Sequence, residues 1–301
     1  MCRMFGFRSA VPSGAHRSLI AAENALADQS QKHPDGWGIG WFVDEDAYVI
    51  KSSNAAHACA RFERASHRLT SHTFLVHVRR ATVGVVDHVN AHPFRFGRWL
   101  FAHNGTIFGF EELRAWFESQ IDPKFLPLIL GDTDSEHLFF FLLTRLDAAG
   151  IDRTGRVPAT ADQIGAIVRK SLIEIDSLAL SHGIDRPILN VLLTDGRTMV
   201  GHKAGMPLYL STQKRFCADF ETCPEPTKVC MEAVRPDAPV NHLLLASERI
   251  AVDQNIWEEL DDGTTLVLDN DFKLTINAPP GDWEAPILPE HLRVDYQAPT
   301  P

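Results

Sequence analysis

Four short stretches hold residues whose types and spacing could do chemistry: Met1-Cys2, HVRRAT (77–82), HNGT (103–106) and GDTDSE (131–136). Cys2 directly follows Met1, so loss of the methionine would place a thiol and a free α-amine on one Cα. An α-amine titrates near about 7.7–8.0, low enough to act as a base at neutral pH. A terminal residue that supplies both nucleophile and base is a workable route to covalent catalysis. Taken alone, Cys2 reads equally well as a small buried hydrophobe.

Arg79 and Arg80 close a β-rich run. By themselves they are a pair of surface arginines. An arginine held by a strand and facing a cleft is instead a bidentate clamp for a carboxylate. Thr82 would add a hydroxyl to the same group, and Arg80 would either extend the pocket towards an acidic substrate or face solvent. Asn104-Gly105 reads locally as a type I′ turn. Placed at the end of a strand, the Asn amide and the Gly N–H form the donor pair of an oxyanion hole, worth roughly 3–4 kcal/mol per donor. Asp134 is either a first-turn acid at a helix start or a carboxylate that binds an ammonium group. Taken together, the arginine and the aspartate grip an amino-acid head group. A terminal thiolate attacks a carbonyl further along, whose oxyanion Asn104 and Gly105 hold. The amino acid with an amide at that distance is glutamine, or any γ-glutamyl compound.

These side chains need a rigid frame. The pattern predicts a short strand at Arg3–Phe7, a helix over 16–31, and a strand over 33–42 in which Gly and Trp alternate. AYVIKS (47–52) pairs with that strand across an acidic turn, a helix covers 56–69, and a strand covers 73–80. A further strand spans 98–104 and turns at Asn104-Gly105. Helices follow at 110–119, 134–148 and 161–181, the second opened by Asp132-Thr133-Asp134 with Glu136 one turn in. A β-rich half then runs through ILNVLLTD, TMVGHK, PLYLS, HLLLAS, TTLVLD and FKLTI. Strands early and late with helices between predict one α+β domain over 1–277 rather than a βαβ array. Residues 212–240 read as a possible insertion and 278–301 as a proline-rich tail along the surface.

Composition narrows the classes. The 301-residue chain carries a formal net charge of −10, which argues against nucleic acid or an anionic membrane as partner. No apolar run approaches the roughly 18–20 residues that span a bilayer. Five cysteines in a chain this long fit a reducing, cytoplasmic setting with free thiols. Cys217, Cys223 and Cys230 cluster, but their gaps match no common zinc spacing, and no HExxH pair is present. The GWGIG stretch lacks the spacing of a phosphate loop. Neither a metal nor a cofactor is expected.

At Cys2, HVRRAT, Asn90-Ala-His92-Pro93-Phe94, His103-Asn104-Gly105 and Thr133-Asp134-Ser135-Glu136, the sequence resembles the class II glutamine amidotransferases of the N-terminal-nucleophile (Ntn) hydrolase group. The resemblance implies a four-layer αββα sandwich. It makes Cys2 the nucleophile with its α-amine as base, Asn104 and Gly105 the oxyanion hole, and Arg79 and Asp134 the ligands of the glutamyl carboxylate and amine. Thr82 becomes a helper in that pocket. The MCR start, HPDGWGIGW and Ala246-Ser247-Glu248 are most similar to the small stand-alone branch, which includes the γ-glutamyl amidohydrolase of ergothioneine synthesis. Two departures stand out: Arg80 and Val83 occupy positions where synthase-linked members carry tryptophan and histidine. Three functions are consistent with these residues. The chain hydrolyses a linear γ-glutamyl amide through a Cys2 thioester, or it is a glutaminase subunit passing ammonia to a separate synthetase, or it binds γ-glutamyl compounds without catalysis.

Overall fold

A computed structural model describes residues 2–81, 84–151, 159–216 and 239–290. Alternation along the first strand, β1 (Arg3–Gly14), sends Met4 to one face and Phe5 to the other. The predicted strand here covered less than half of that length. The hairpin β2 (Trp37–Val43) and β3 (Asp46–Ser52) closes across the acidic turn as expected, with Val43 opposite Asp46. Then come β4 (Thr70–Val78), β5 (Phe94–Phe96) and β6 (Trp99–Thr106). The later strands are β7 (Ile188–Thr194), β8 (Met199–His202), β9 (Tyr209–Lys214), β10 (His242–Ala246), β11 (Asn255–Glu259), β12 (Thr265–Leu268) and β13 (Leu274–Asn277). They form two antiparallel sheets, one in the order β11-β9-β10-β1-β4-β2-β3 and the other β13-β12-β8-β7-β6-β5.

The sheets pack face to face through Met4, Leu75, Leu100, Ala102, Leu192, Leu245 and Leu266. Residues one step along the central strands point outward and are covered by helices, so the middle of each sheet is buried on both faces. On the seven-stranded sheet, Phe5, Ile39, Phe74 and Val76 lie under α1 (Leu26–Gln29), α2 (Ala60–Arg68) and a π-helical turn at Arg17–Ala21. On the six-stranded sheet, Phe101, Val191, Leu193 and Val267 lie under α3 (Phe110–Gln120), α4 (Asp134–Ala148) and α5 (Ala161–Ser181). The result is the αββα sandwich.

The Gly-Trp alternation of β2 serves this packing. Trp37 fills the outer core, while Gly38 and Gly40 face the second sheet. A Cβ on Gly38 would collide with the His92 carbonyl oxygen, so the bare strand lets the 84–92 loop cross close to the sheet. Two expectations need correction. The single helix over 16–31 is instead a π-turn and one short α-helix, because Asn24 adopts a left-handed φ of 55° between them. Asn104-Gly105 makes no turn: both residues continue β6, opposite Asn190 and Leu189. Glycine is needed at 105 because a side chain there would run into the Ile188 carbonyl across the ladder.

Of the proposed tail, residues up to 290 are described, and Trp283 docks on the helix-covered core with its indole N–H donating to Asp262. The proposed insertion is described only at its ends, and Thr82, Cys217, Cys223 and Cys230 lie outside the described residues. Among the described residues no helix is long and apolar enough to cross a membrane.

Candidate active site

Parity places the Cys2 thiol. Cys2, Met4 and Gly6 share the face of β1 and its approach that looks between the sheets, and pairing of Arg3 with Val78 sets Cys2 beside the end of β4. There its Sγ lies 3.4 Å from both the backbone N–H and the carbonyl oxygen of Arg80. The thiol is half-buried, and burial pushes its pKa up from the ordinary value. The Arg80 N–H and the charges of Arg79 and Arg3 oppose that rise without cancelling it. Burial of the thiol therefore favours its protonated form.

Asn104 reaches the same space from the opposite sheet. It shares the inward face of β6 with Leu100 and Ala102 and is fully buried. Its Nδ2 donates to Ser247 Oγ at 3.3 Å, and the same hydroxyl oxygen accepts the backbone N–H of Met4 at 3.0 Å. Ser247 in turn donates its own N–H to the Met4 carbonyl. One serine thereby ties the strand behind Cys2 to the amide of Asn104. The Asn104 Oδ1 is buried without a partner among the described residues.

Residue 3 is clamped from behind. The Arg3 guanidinium pairs with Glu248 and donates to the Cys2 carbonyl at 3.1 Å, and Glu248 also accepts from Asn24 Nδ2 at 3.1 Å. The left-handed Asn24 that breaks the predicted helix is thus the residue that steadies this ion pair.

The remaining residues converge through short loops. Arg79 is buried, its N–H and C=O are fixed by Gly36 and Asp35, and its Nη1 donates to Val85 O at 3.0 Å. Arg80 has an exposed side chain, and its main chain meets the thiol. Asn90 donates to Val85 O at 3.2 Å and to Asp132 Oδ1 at 2.9 Å, stapling the loop that carries Arg79's acceptor to the start of α4. That helix begins where predicted, with the Thr133 hydroxyl accepting the Glu136 N–H. Asp134 is buried on its first turn, with Oδ2 accepting the Ile107 N–H at 2.8 Å. Oδ1 lies 3.1 Å from Ser135 Oγ, which is also 2.9 Å from His103 Nδ1, so one hydroxyl proton serves one of the two at a time. His103 Nε2 donates to the Ile188 carbonyl, and burial lowers the imidazole pKa, which keeps it neutral. His103, the residue before Asn104, thus links the Asp134 turn to β6 through Ser135.

Of the predicted residues, Cys2 and Arg80 touch directly, and Asn104, Arg79 and Asp134 join them through Ser247, Val85, Asn90 and His103. Gly105 sits beside Asn104 on the ladder. Sequence reasoning gave no role to Ser247, Glu248, Asn90 or Ser135, although each sits inside a motif singled out there. Their signal was presence in the motif; their bonds to distant strands leave no local trace. Among the described residues no three His, Cys, Asp or Glu side chains gather in a metal-binding group.

Comparisons with known proteins give the family and the fold. The family description "Glutamine amidotransferases class-II" matches residues 1–284. The "Probable glutamine amidotransferase DUG3" of Saccharomyces cerevisiae is 24% identical over 302 residues, covering 89% of this chain and 82% of that protein. The gamma-glutamyl-hercynylcysteine sulfoxide hydrolase of Mycobacterium tuberculosis (strain CDC 1551) is 34% identical over 116 residues, 36% of this chain and half of its own. A solved glutamine aminotransferase class-II domain protein from Silicibacter pomeroyi superposes with a TM-score of 0.59 at 18% identity. It covers 92% of this chain and all of that one, a likeness of fold. With the family matched across nearly its whole length, the chain belongs to the class II glutamine amidotransferases.

Proposed function

We propose that the protein hydrolyses γ-glutamyl amides through a thioester on Cys2. Once Met1 is removed, the Cys2 α-amine accepts the thiol proton as Sγ attacks the amide carbon. The tetrahedral oxyanion is held by the second hydrogen of Asn104 Nδ2 and by the Gly105 N–H. Collapse breaks the C–N bond, and the α-ammonium gives its proton to the departing amine. Water then adds to the thioester with the same amine as base, and glutamate leaves. Arg79 and Thr82 take the substrate's α-carboxylate, Asp134 Oδ1 its α-ammonium, and Arg80 flanks the entrance.

The observation that carries this reading is the link through Ser247, which sets an inward-facing amide donor next to the strand that presents the thiol. Burial of the thiol supports a mechanism that needs a dedicated base. The name of the mycobacterial relative favours a γ-glutamyl compound larger than glutamine as substrate. The test is to assay the purified chain on glutamine, glutathione and assorted γ-glutamyl amides, following glutamate release. Release from at least one, abolished by Cys2→Ala, is the expected result. Undiminished turnover by Cys2→Ala would refute the thioester.

A further inference from the structure

At the end of the sandwich opposite Cys2 lies a cavity of about 700 Å³, lined among others by Arg8, Phe42, Glu45, Arg98, Arg197 and Phe272. Arg8 sits on β1 six residues beyond Cys2, about 20 Å away at the rise of a strand. The proposed reaction therefore makes no use of this space. We propose that this cavity binds a small organic anion, a carboxylate or phosphate carried on an apolar body, against the guanidinium of Arg8.

Arg8 is 3% exposed, yet its Nε and Nη1 have no hydrogen-bond partner among the described residues. Its Nη2 has one contact, Asn270 Oδ1 at 3.5 Å, the limit of a hydrogen bond. The guanidinium Cζ lies 4.8 Å from the centre of the Phe272 ring, a cation–π contact that satisfies none of the N–H groups. Among the described residues no carboxylate takes up the deficit. Asp195 and Asp269 are the acids that act on Arg8, but Asp195 Oδ1 is held by the N–H groups of Arg197 and Thr198 and Asp269 Oδ1 by that of Lys273. Burial accordingly lowers the Arg8 pKa to about 10. A buried, under-partnered guanidinium is costly on its own and is relieved by an incoming oxyanion.

The rest of the wall fits such a ligand. Arg98 and Arg197 line the same cavity; the exposed carboxylate of Glu45 pairs with both, while the Asp195 carbonyl accepts from Nε and Nη2 of Arg98. Glu45 thus occupies the position on these two arginines that a ligand carboxylate or phosphate would compete for. The lining itself carries three arginines and two acids, Asp44 and Glu45, while Asp195 and Asp269 act on Arg8 without lining the cavity. Phe42, Phe272 and Pro12 supply the apolar wall for the body of the ligand.

The experiment is isothermal titration and thermal-shift measurement on the full chain with phenyl phosphate, benzoate, inorganic phosphate and, as the neutral control, benzyl alcohol. Phenyl phosphate or benzoate is expected to bind and raise Tm while benzyl alcohol does not, and the stronger of the two identifies the headgroup. Arg8→Lys, which keeps the charge but loses the fork, should weaken binding at least about tenfold. Arg8→Met should abolish binding without lowering Tm. Glu45→Gln, at an exposed position that leaves folding intact, should tighten binding by removing the competing carboxylate. If no anion binds, or if binding is unchanged in both Arg8→Lys and Glu45→Gln, the proposal is overturned. A signal from inorganic phosphate alone, unaffected by these substitutions, is an adventitious ion only and overturns it too.

Discussion

At the scale of single residues, the proposed mechanism divides the site into groups that act and groups that hold them. Asn104→Ala should lower kcat by about 10²–10³ with little change in KM, because its donor is used as charge develops in the transition state. Arg79→Ala should chiefly raise KM, since it removes grip on the substrate carboxylate; steady-state kinetics on the best γ-glutamyl amide separates the two. A free α-amine as base makes kcat/KM rise with pH through about 7.7–8.0 and then level off. A profile flat from pH 6 to 9 would exclude that base. The residues of the proposed site were candidates already in the sequence, because chemistry restricts residue type. Ser247 was not. A serine in a β-rich stretch has many ordinary uses, and its two bonds, to Met4 and Asn104, span more than 140 positions along the chain.

At the scale of elements, Ser247→Ala tests positioning as distinct from catalysis. It leaves the Asn104 amide and the Met4 N–H without their shared acceptor, so kcat should fall while KM for substrate holds, and Ser247→Thr should restore much of it. Thr133→Ala removes the cap of α4 and should cost about 1 kcal/mol in urea unfolding. It would also loosen Asp134 on the first turn. α4 and α5 were readable to the residue because each has a cap and an uninterrupted apolar pattern, which are local properties. The 16–31 stretch misled because its composition favours helix, while Asn24 is recruited by Glu248 from the other end of the chain. Asn104-Gly105 misled in the same way. The dipeptide favours a hairpin turn locally, but pairing with Asn190 and Leu189 outweighs that preference. β5 is three residues long and β11 carries charged, exposed positions, so neither stood out as a strand.

At the scale of the molecule, strands early and late in the chain were enough for an α+β class. Four layers followed only from the resemblance, since strand order is a long-range property. The sandwich buries several neutral histidines, and this makes acid stability predictable. Burial lowers His33 to about 4 and His202 and His242 to about 3, and holds His77 and His92 well below 6.5. Below pH 6.5 the unfolded chain takes up protons that the folded chain refuses. Stability is therefore full above that pH and falls as pH drops towards the native values, by about 1.4 kcal/mol per unit for each histidine. The urea midpoint should drop steeply between pH 6.5 and 5, and a midpoint unchanged across that range would contradict the burial of these rings as neutral groups. The central claim, that a free amino-terminal Cys2 performs the chemistry, is tested most directly by intact-protein mass spectrometry on an active sample. The sample is measured before and after treatment with a γ-glutamyl diazoketone. The expected result is a chain lacking Met1 that gains one label, mapped to Cys2, as activity is lost. Full activity in a chain that retains Met1, or inactivation with the label on another residue, would contradict it.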